Sequence, residues 1–312
     1  MNKLVASVGL LVCFMIGPNI ALSQSTIKVS VPENYYAKIY RVKPTCYDYS
    51  ERFSRVDIFS ASFGVPSSMI FVYSSIENNG DHAVLVGDSR WSYNYSTVSG
   101  HESFVDLTRF LMEPEEKMDP IEEEAAKNIA LNYVANFFET PSNASISGVF
   151  FSRVWDESQI TPDSSPNRVI ERTSSESVVK IRRKIDGIPV CGPGGYYRIH
   201  VVNNGDVVGV FDRTHKFLTT PVDEIRLPVY EEIEAIAKEK EEKYCKDAKK
   251  CAVDVKVCYY EGSHGAEQEF IEPVIRVVVV NDSFEGDVGV VSFEMPIRDP
   301  EVADILHPEK VD

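Results

Sequence analysis

VVKIRRKIDGIPVCGPGGYYRIHVVNNGDVVGVF, residues 178–211, decides how the chain is read. From Val178 to Ile185 branched aliphatic residues alternate with cations, the period of two that a half-buried strand requires. Asp186 and Gly187 supply a tight turn, Tyr196 to Val202 reads as a second strand, Asn204 and Gly205 as another turn, and Val207 to Phe211 as a third strand. The alternation also sorts the side chains. Val179, Ile181, Ile185, Ile199 and Val201 face a covering helix, while Lys180, Arg182 and Lys184 share the opposite face, joined there by Arg198 and His200.

The same order recurs on both sides of this segment. Before this meander, Asp119 reads as a cap and Pro120 as the first residue of a helix whose apolar stripe is Ile121, Ala125, Ile129, Tyr133 and Phe137. A Ser/Thr/Pro-rich stretch around residues 159–175 follows that helix. Towards the N-terminus, Phe53, Val56, Phe59 and Phe63 fall at helical spacing and stop at Gly64, ahead of strands at Met69 to Ile76, at His82 to Val86, and through Trp91, Tyr93 and Tyr95. Towards the C-terminus, Pro228 to Tyr244 reads as a helix, with strands at Val253 to Tyr260, Phe270 to Val280 and Val288 to Glu294. The expectation is an α+β protein of three repeated modules, each one helix packed on an antiparallel meander: residues 24–112, 113–220 and 221–312, after a leader at 1–23.

Composition narrows the function classes. The chain has 312 residues, of which 43% are hydrophobic and 26% charged, a globular profile that excludes collagen-like and low-complexity readings. Asp and Glu number 48 against 32 Lys and Arg, a net charge of −16, which repels phosphate backbones and anionic headgroups. Nucleic acid and membrane surfaces are therefore not expected as partners.

The N-terminus points to export. A short basic start ending at Lys3, an apolar run from Leu4 to Gly17, and Ala21, Leu22 and Ser23 read as a secretory signal cut before Gln24. The run is 14 residues, short of the about 20 needed to span a bilayer, and no later stretch is long and apolar enough. Five cysteines follow: Cys46, Cys191, Cys245, Cys251 and Cys258. Cys245 and Cys251 are the nearest candidates for a bridge, since a short loop after a helix brings their Cβ atoms together; reduced, buried thiols are the alternative.

The segment 178–211 resembles the PepSY and fungalysin/thermolysin-propeptide class, in which a strand, a Gly-Ile-Pro-Val turn, a second strand and a Gly-x-Val-x-x-Val strand recur. Residues 259–274, with Tyr259, Tyr260, Gln268 and Val274, look like the following module of such proteins. The resemblance covers about residues 120–296. It implies a role outside the cell as a propeptide, chaperone or inhibitor of a secreted peptidase. The chain contains no His-Glu-x-x-His, so it is not expected to be a zinc protease precursor, and only a role in trans remains.

Other signals for chemistry are weak. Gly192, Pro193, Gly194 and Gly195 lie between two strands, where a phosphate loop would need a helix N-terminus behind it, so they read as a turn. The histidines are scattered, no zinc spacing accompanies the cysteines, and Asn281 to Gly286 reads as a hairpin loop rather than a calcium loop. No catalytic residue, metal or cofactor is expected, although Cys191 or Cys258 could meet a histidine in space. The basic face of Lys180, Arg182, Lys184, Arg198 and His200 is either a solvated sheet surface or a docking surface for an acidic extracellular protein, with Tyr196 as its aromatic anchor. The protein is thus read as a secreted or cell-envelope binding protein, not an enzyme, whose partner is an extracellular protein such as a peptidase. The alternative is a cell-envelope ligand or glycan binder that stacks sugars on an exposed ladder of Trp91, Tyr93 and Tyr95.

Overall fold

A computed structural model describes residues 24–43, 49–65, 73–76, 81–86, 90–96, 98–110, 119–138, 140–160, 169–246, 248, 250–263, 266–281 and 289–297. The expected leader at 1–23, Cys46, the expected turn at Asn79 and Gly80, and the expected loop at 282–288 lie outside them. In chain order the elements are β1 (Gln24–Ser30), β2 (Tyr36–Val42), α1 (Tyr49–Ser62), β3 (Tyr73–Ile76), β4 (Asp81–Val86), β5 (Trp91–Ser96), β6 (Glu102–Asp106) and α2 (Glu123–Phe137). They continue with β7 (Ala144–Ile160), β8 (Val169–Ile185), β9 (Ile188–Cys191), β10 (Tyr196–Val202), β11 (Val207–Arg213) and β12 (Phe217–Arg226). Last come α3 (Tyr230–Tyr244), β13 (Lys250–Tyr260), β14 (Phe270–Ile271), β15 (Pro273–Asn281) and β16 (Gly289–Pro296).

The expectation of repeated helix-on-meander modules is overturned. The protein is mostly β, and its strands do not close into three separate sheets. One mixed sheet of thirteen strands runs in the order β16-β15-β13-β9-β8-β10-β11-β6-β5-β4-β3, with β1 added on β13 and β7 on β8. The joints between the anticipated modules are hydrogen-bonded ladders: β6 pairs with β11 from Glu102↔Asp212 to Val105↔Gly209, and β9 pairs in parallel with β13 at Val190↔Tyr259 and Cys191↔Tyr260. β1 lies parallel to β13 over seven positions, from Gln24↔Lys250 to Ser30↔Lys256. A separate sheet of three strands, β12-β2-β14, covers part of the large one.

Both halves of the large sheet bury one face. Phe59 of α1 and Ala126, Ala130, Tyr133 and Val134 of α2 pack on Val179, Ile181, Ile199 and Val201, the residues that alternation assigns to the helix side. In the other half Ile233 and Ala237 of α3 sit with Tyr40, Phe217 and Leu227 over Val253, Val255, Val257, Val277 and Val279. Burial of these aliphatic and aromatic side chains, roughly 1.5–3 kcal/mol each, is the main stabilising term. α2 begins later than its Asp119-Pro120 signal implies. Glu122 is its N-cap residue, and no side-chain hydrogen bond caps it, so Pro120 lies in the approach to the helix.

Two disulfides fasten this frame. Cys245, the C-cap of α3, is bonded to Cys251 at the start of β13, the pair expected from the short loop. Cys191 at the end of β9 is bonded to Cys258 of β13, closing 67 residues of sequence across the two-residue β9·β13 ladder. Two disulfides fit an extracytoplasmic protein. Among the described residues no helix is long and apolar enough to cross a membrane.

Candidate functional site

On β8 the even-numbered positions turn away from the helices, and the pairing register places their neighbours. Lys180 stands opposite Arg198 of β10 and Arg182 opposite Tyr196, so three cations and one ring form a compact block. The Tyr196 ring lies under both flanking cations: Lys180 Nζ is 4.0 Å and Arg182 Cζ 5.6 Å from its centroid. Arg182 Nη1 also donates to the carbonyls of Gly192 and Gly194, each at 3.3 Å. This ties the guanidinium to the turn after β9, which therefore connects two strands and has no helix behind it. The turn lies close because its glycines carry no Cβ: one on Gly192 would stand 2.4 Å from the Glu261 carbonyl oxygen. Arg198 lies over Phe211 of β11 at 4.3 Å, and Lys184 continues the same face of β8 beside Pro189.

The sheet adds two cations that the segment 178–211 does not contain. Lys256 of β13 and Arg276 of β15 are opposite each other in register and face the same way as Lys180 and Arg182. Arg276 pairs with Glu294 of β16 at 3.4 Å. Among the described residues Lys180, Arg182, Arg198 and Lys256 have no carboxylate within ion-pair distance. Partial burial, reinforced by the positive fields of Arg182, Arg198 and Arg276, pushes the Lys180 ammonium down to about 8. Burial and the field of Arg276 likewise lower Arg182. Lys256 is lowered by burial, partly offset by Asp254, with Arg276 and Arg182 acting in the same sense as burial. A half-dry cluster of like charges is what an incoming anion stabilises.

His200 departs from the expectation. It belongs to the same strand face but is only 4% exposed, roofed by the rings of Phe110 and Phe211 at 4.7 and 5.4 Å, and its Nδ1 lies 2.6 Å from Glu176 Oε1. Phe110 comes from a turn after β6 that carries no periodic signal, so sequence alternation could not reveal the lid. Trp91, Tyr93 and Tyr95 are also corrected. They are 8%, 1% and 2% exposed, packed among Phe59 and Phe104 in the core, and so offer no open ring face to a sugar. Tyr93 instead donates its hydroxyl to Glu102, and the guanidinium of Arg90 lies 4.5 Å over Trp91.

A second polar cluster sits on the helix side of the sheet. Arg183, between the two apolar cores, donates through Nε and Nη2 to Glu261 Oε1 and through Nη2 to the His215 carbonyl at 2.8 Å. The His215 amide donates to Glu261 Oε2 at 3.0 Å. Asp212 accepts from the Thr214 amide and hydroxyl and from Lys216 Nζ, at 2.9, 2.6 and 2.7 Å. Burial alone would raise both carboxyls, yet Arg183 and the His215 side chain hold Glu261 below its ordinary 4.5, and Lys216 and Thr214 hold Asp212 below its ordinary 3.8. The sign follows from proton linkage: the unfolded carboxylates bind protons first, so this stabilisation is complete above the ordinary values and is lost as pH falls through the native ones. A thermal unfolding series should show a flat midpoint down to pH about 4.5 and a falling one below it; a midpoint that rises on acidification would contradict these assignments. Cys191 and Cys258, the sulfurs that could have paired with a histidine, are bonded to each other. Among the described residues no three His, Cys, Asp or Glu side chains are grouped to hold a metal.

No family model matches the chain, and no curated protein does. The fold has a solved counterpart. The chain is similar to an uncharacterized protein from Eubacterium rectale ATCC 33656, with a TM-score of 0.60 and 10% sequence identity over 94% of this chain and 92% of that one. At that identity the likeness is one of fold alone.

Proposed function

We propose that this is an extracytoplasmic binding protein without catalytic activity, which docks an acidic extracellular protein on the outer face of β8 and β10. One observation supports the reading above the others: Lys180 and Arg182 flank Tyr196 and Arg198 stands opposite Lys180, all half-buried and without an ion-pair partner among the described residues, on a protein of net charge −16. A solvated sheet face would spread its cations among local carboxylates. Here they converge, and a tyrosine beside two arginines, Arg182 on its ring and Arg198 on its own strand, has the composition of an interface anchor. Inhibition or chaperoning of a secreted peptidase, in trans, is the specific form suggested by the resemblance to propeptide modules.

The test is capture from the extracellular fraction of the source with residues 24–312, compared with the triple variant K180E/R182E/R198E. Loss of the captured partner with an unfolding midpoint within a few degrees of wild type supports the reading. Undiminished capture by the triple variant removes it. Capture should also weaken as salt rises, and as pH rises through about 8, where the Lys180 ammonium loses its proton. K180R keeps the charge at all these pH values and should abolish the inflection. An unchanged inflection in K180R places the partner away from Lys180.

A further inference from the structure

β7 pairs only with β8, so among the described residues one of its long edges carries backbone groups with no ladder partner. Its residues 144–152 read ASISGVFFS, nine positions without a charge or a proline. Soluble proteins ordinarily blunt such an edge with lysine, proline or a covering element. Here Ser145, Ile146, Ser147, Phe150 and Ser152 are exposed, Phe150 at 57% and Ile146 at 45%. The register sets Phe150 opposite Lys180 and Gly148 opposite Arg182, so the open edge borders the basic face itself.

From this juxtaposition we infer that the partner binds by strand addition: an extended, acidic segment of an extracellular protein pairs with the free edge of β7 between Ser145 and Ser152. The inference rests on the proposed docking face and specifies how it is occupied. Backbone hydrogen bonds to the edge supply affinity, and side chains at alternate positions supply selectivity. An added strand lies about 10 Å, two strand spacings, from β8, inside one Debye length of Lys180 and Arg182 at physiological salt. Carboxylates on its outer face are therefore attracted, and the exposed Phe150 ring lies beside its apolar or aliphatic stems. A second copy of the chain fits the edge less well, because joining two β7 strands brings two basic faces together across one dyad, against like charge.

The experiment uses the full mature chain and a capped heptapeptide alternating glutamate with valine, followed by fluorescence anisotropy and amide hydrogen exchange. The peptide should bind, and amides within residues 145–152 should exchange roughly tenfold more slowly at saturation. The same peptide N-methylated along one edge, and a lysine-valine version, should each bind roughly tenfold more weakly or worse. Failure of the peptide to bind at its solubility limit overturns strand addition. Binding without protection of residues 145–152 does so as well, as does equal affinity for the lysine version. Protection of the edge that appears without peptide and grows with protein concentration assigns the edge to a second copy and overturns the inference. The docking face is tested separately. If partner capture is lost in the triple charge reversal while residues 145–152 stay unprotected in the wild-type complex, the face stands and strand addition falls.

Discussion

Replacing Arg183 by methionine should lower the unfolding free energy by about 3–5 kcal/mol, the largest effect expected of any single substitution described above. The loss arises from what remains. Glu261 is fully buried, and without the guanidinium its carboxylate keeps the His215 amide as a hydrogen-bond donor and the His215 ring 3.8 Å away, so most of its charge is left uncompensated. The surroundings cannot relax easily, because Arg183 sits on a strand paired on both sides. The measurement is a denaturant midpoint at pH 7. A second variant identifies the cause: E261Q added to R183M removes the stranded charge and should recover a large part of the loss, since replacing both members of a buried pair is often close to neutral. If R183M alone costs less than about 1 kcal/mol, the pair is not the anchor of this region.

The second large effect concerns the disulfides. By loop entropy, joining Cys191 to Cys258 across 67 residues should contribute about 4 kcal/mol, and joining Cys245 to Cys251 across 6 residues about 2 kcal/mol. Paired serine substitutions should therefore rank in that order in denaturant unfolding. The long-loop bridge has a further task. It lies at the two-residue ladder between β9 and β13, where hydrogen bonding between the two halves of the large sheet is sparsest. C191S/C258S should consequently broaden or split the unfolding transition, which C245S/C251S should leave sharp. Equal losses for the two pairs would mean that loop length does not govern this chain's unfolded state.

Which features were legible in the sequence follows from how far each signal reaches along the chain. β8, β10 and β11 were readable because alternation and the turns at Asp186-Gly187 and Asn204-Gly205 are local, and the inner and outer side chains of β8 fall where alternation puts them. The joining of the sheets was not. β6·β11, β9·β13 and β1·β13 are pairings between remote segments, and a period of two names a strand without naming its neighbour. The Ser/Thr/Pro-rich stretch around 159–175 concealed long strands for a related reason: β7 and β8 run to Ile160 and from Val169, extended by pairing with each other over propensity. At the site, Lys180, Arg182, Lys184 and Arg198 were visible from alternation, whereas Lys256 and Arg276 join them only once β13 and β15 are known to continue the same sheet. The aromatic ladder failed for the complementary reason. Trp91, Tyr93 and Tyr95 do share a face of β5, but alternation cannot say which face the helices will cover.

The parallel pairing of β1 with β13 has a consequence for how the molecule is made. Residues 24–30 are synthesised more than two hundred residues ahead of their hydrogen-bonding partners, residues 250–256. The emerging chain therefore carries β1 without its partner until β13 has followed it. Loop closure over so many residues is slow, and an unpaired strand invites association with other chains while it waits. Completion of the native sheet therefore waits on β13, and β1, made far ahead of it, is among the last strands to find its place.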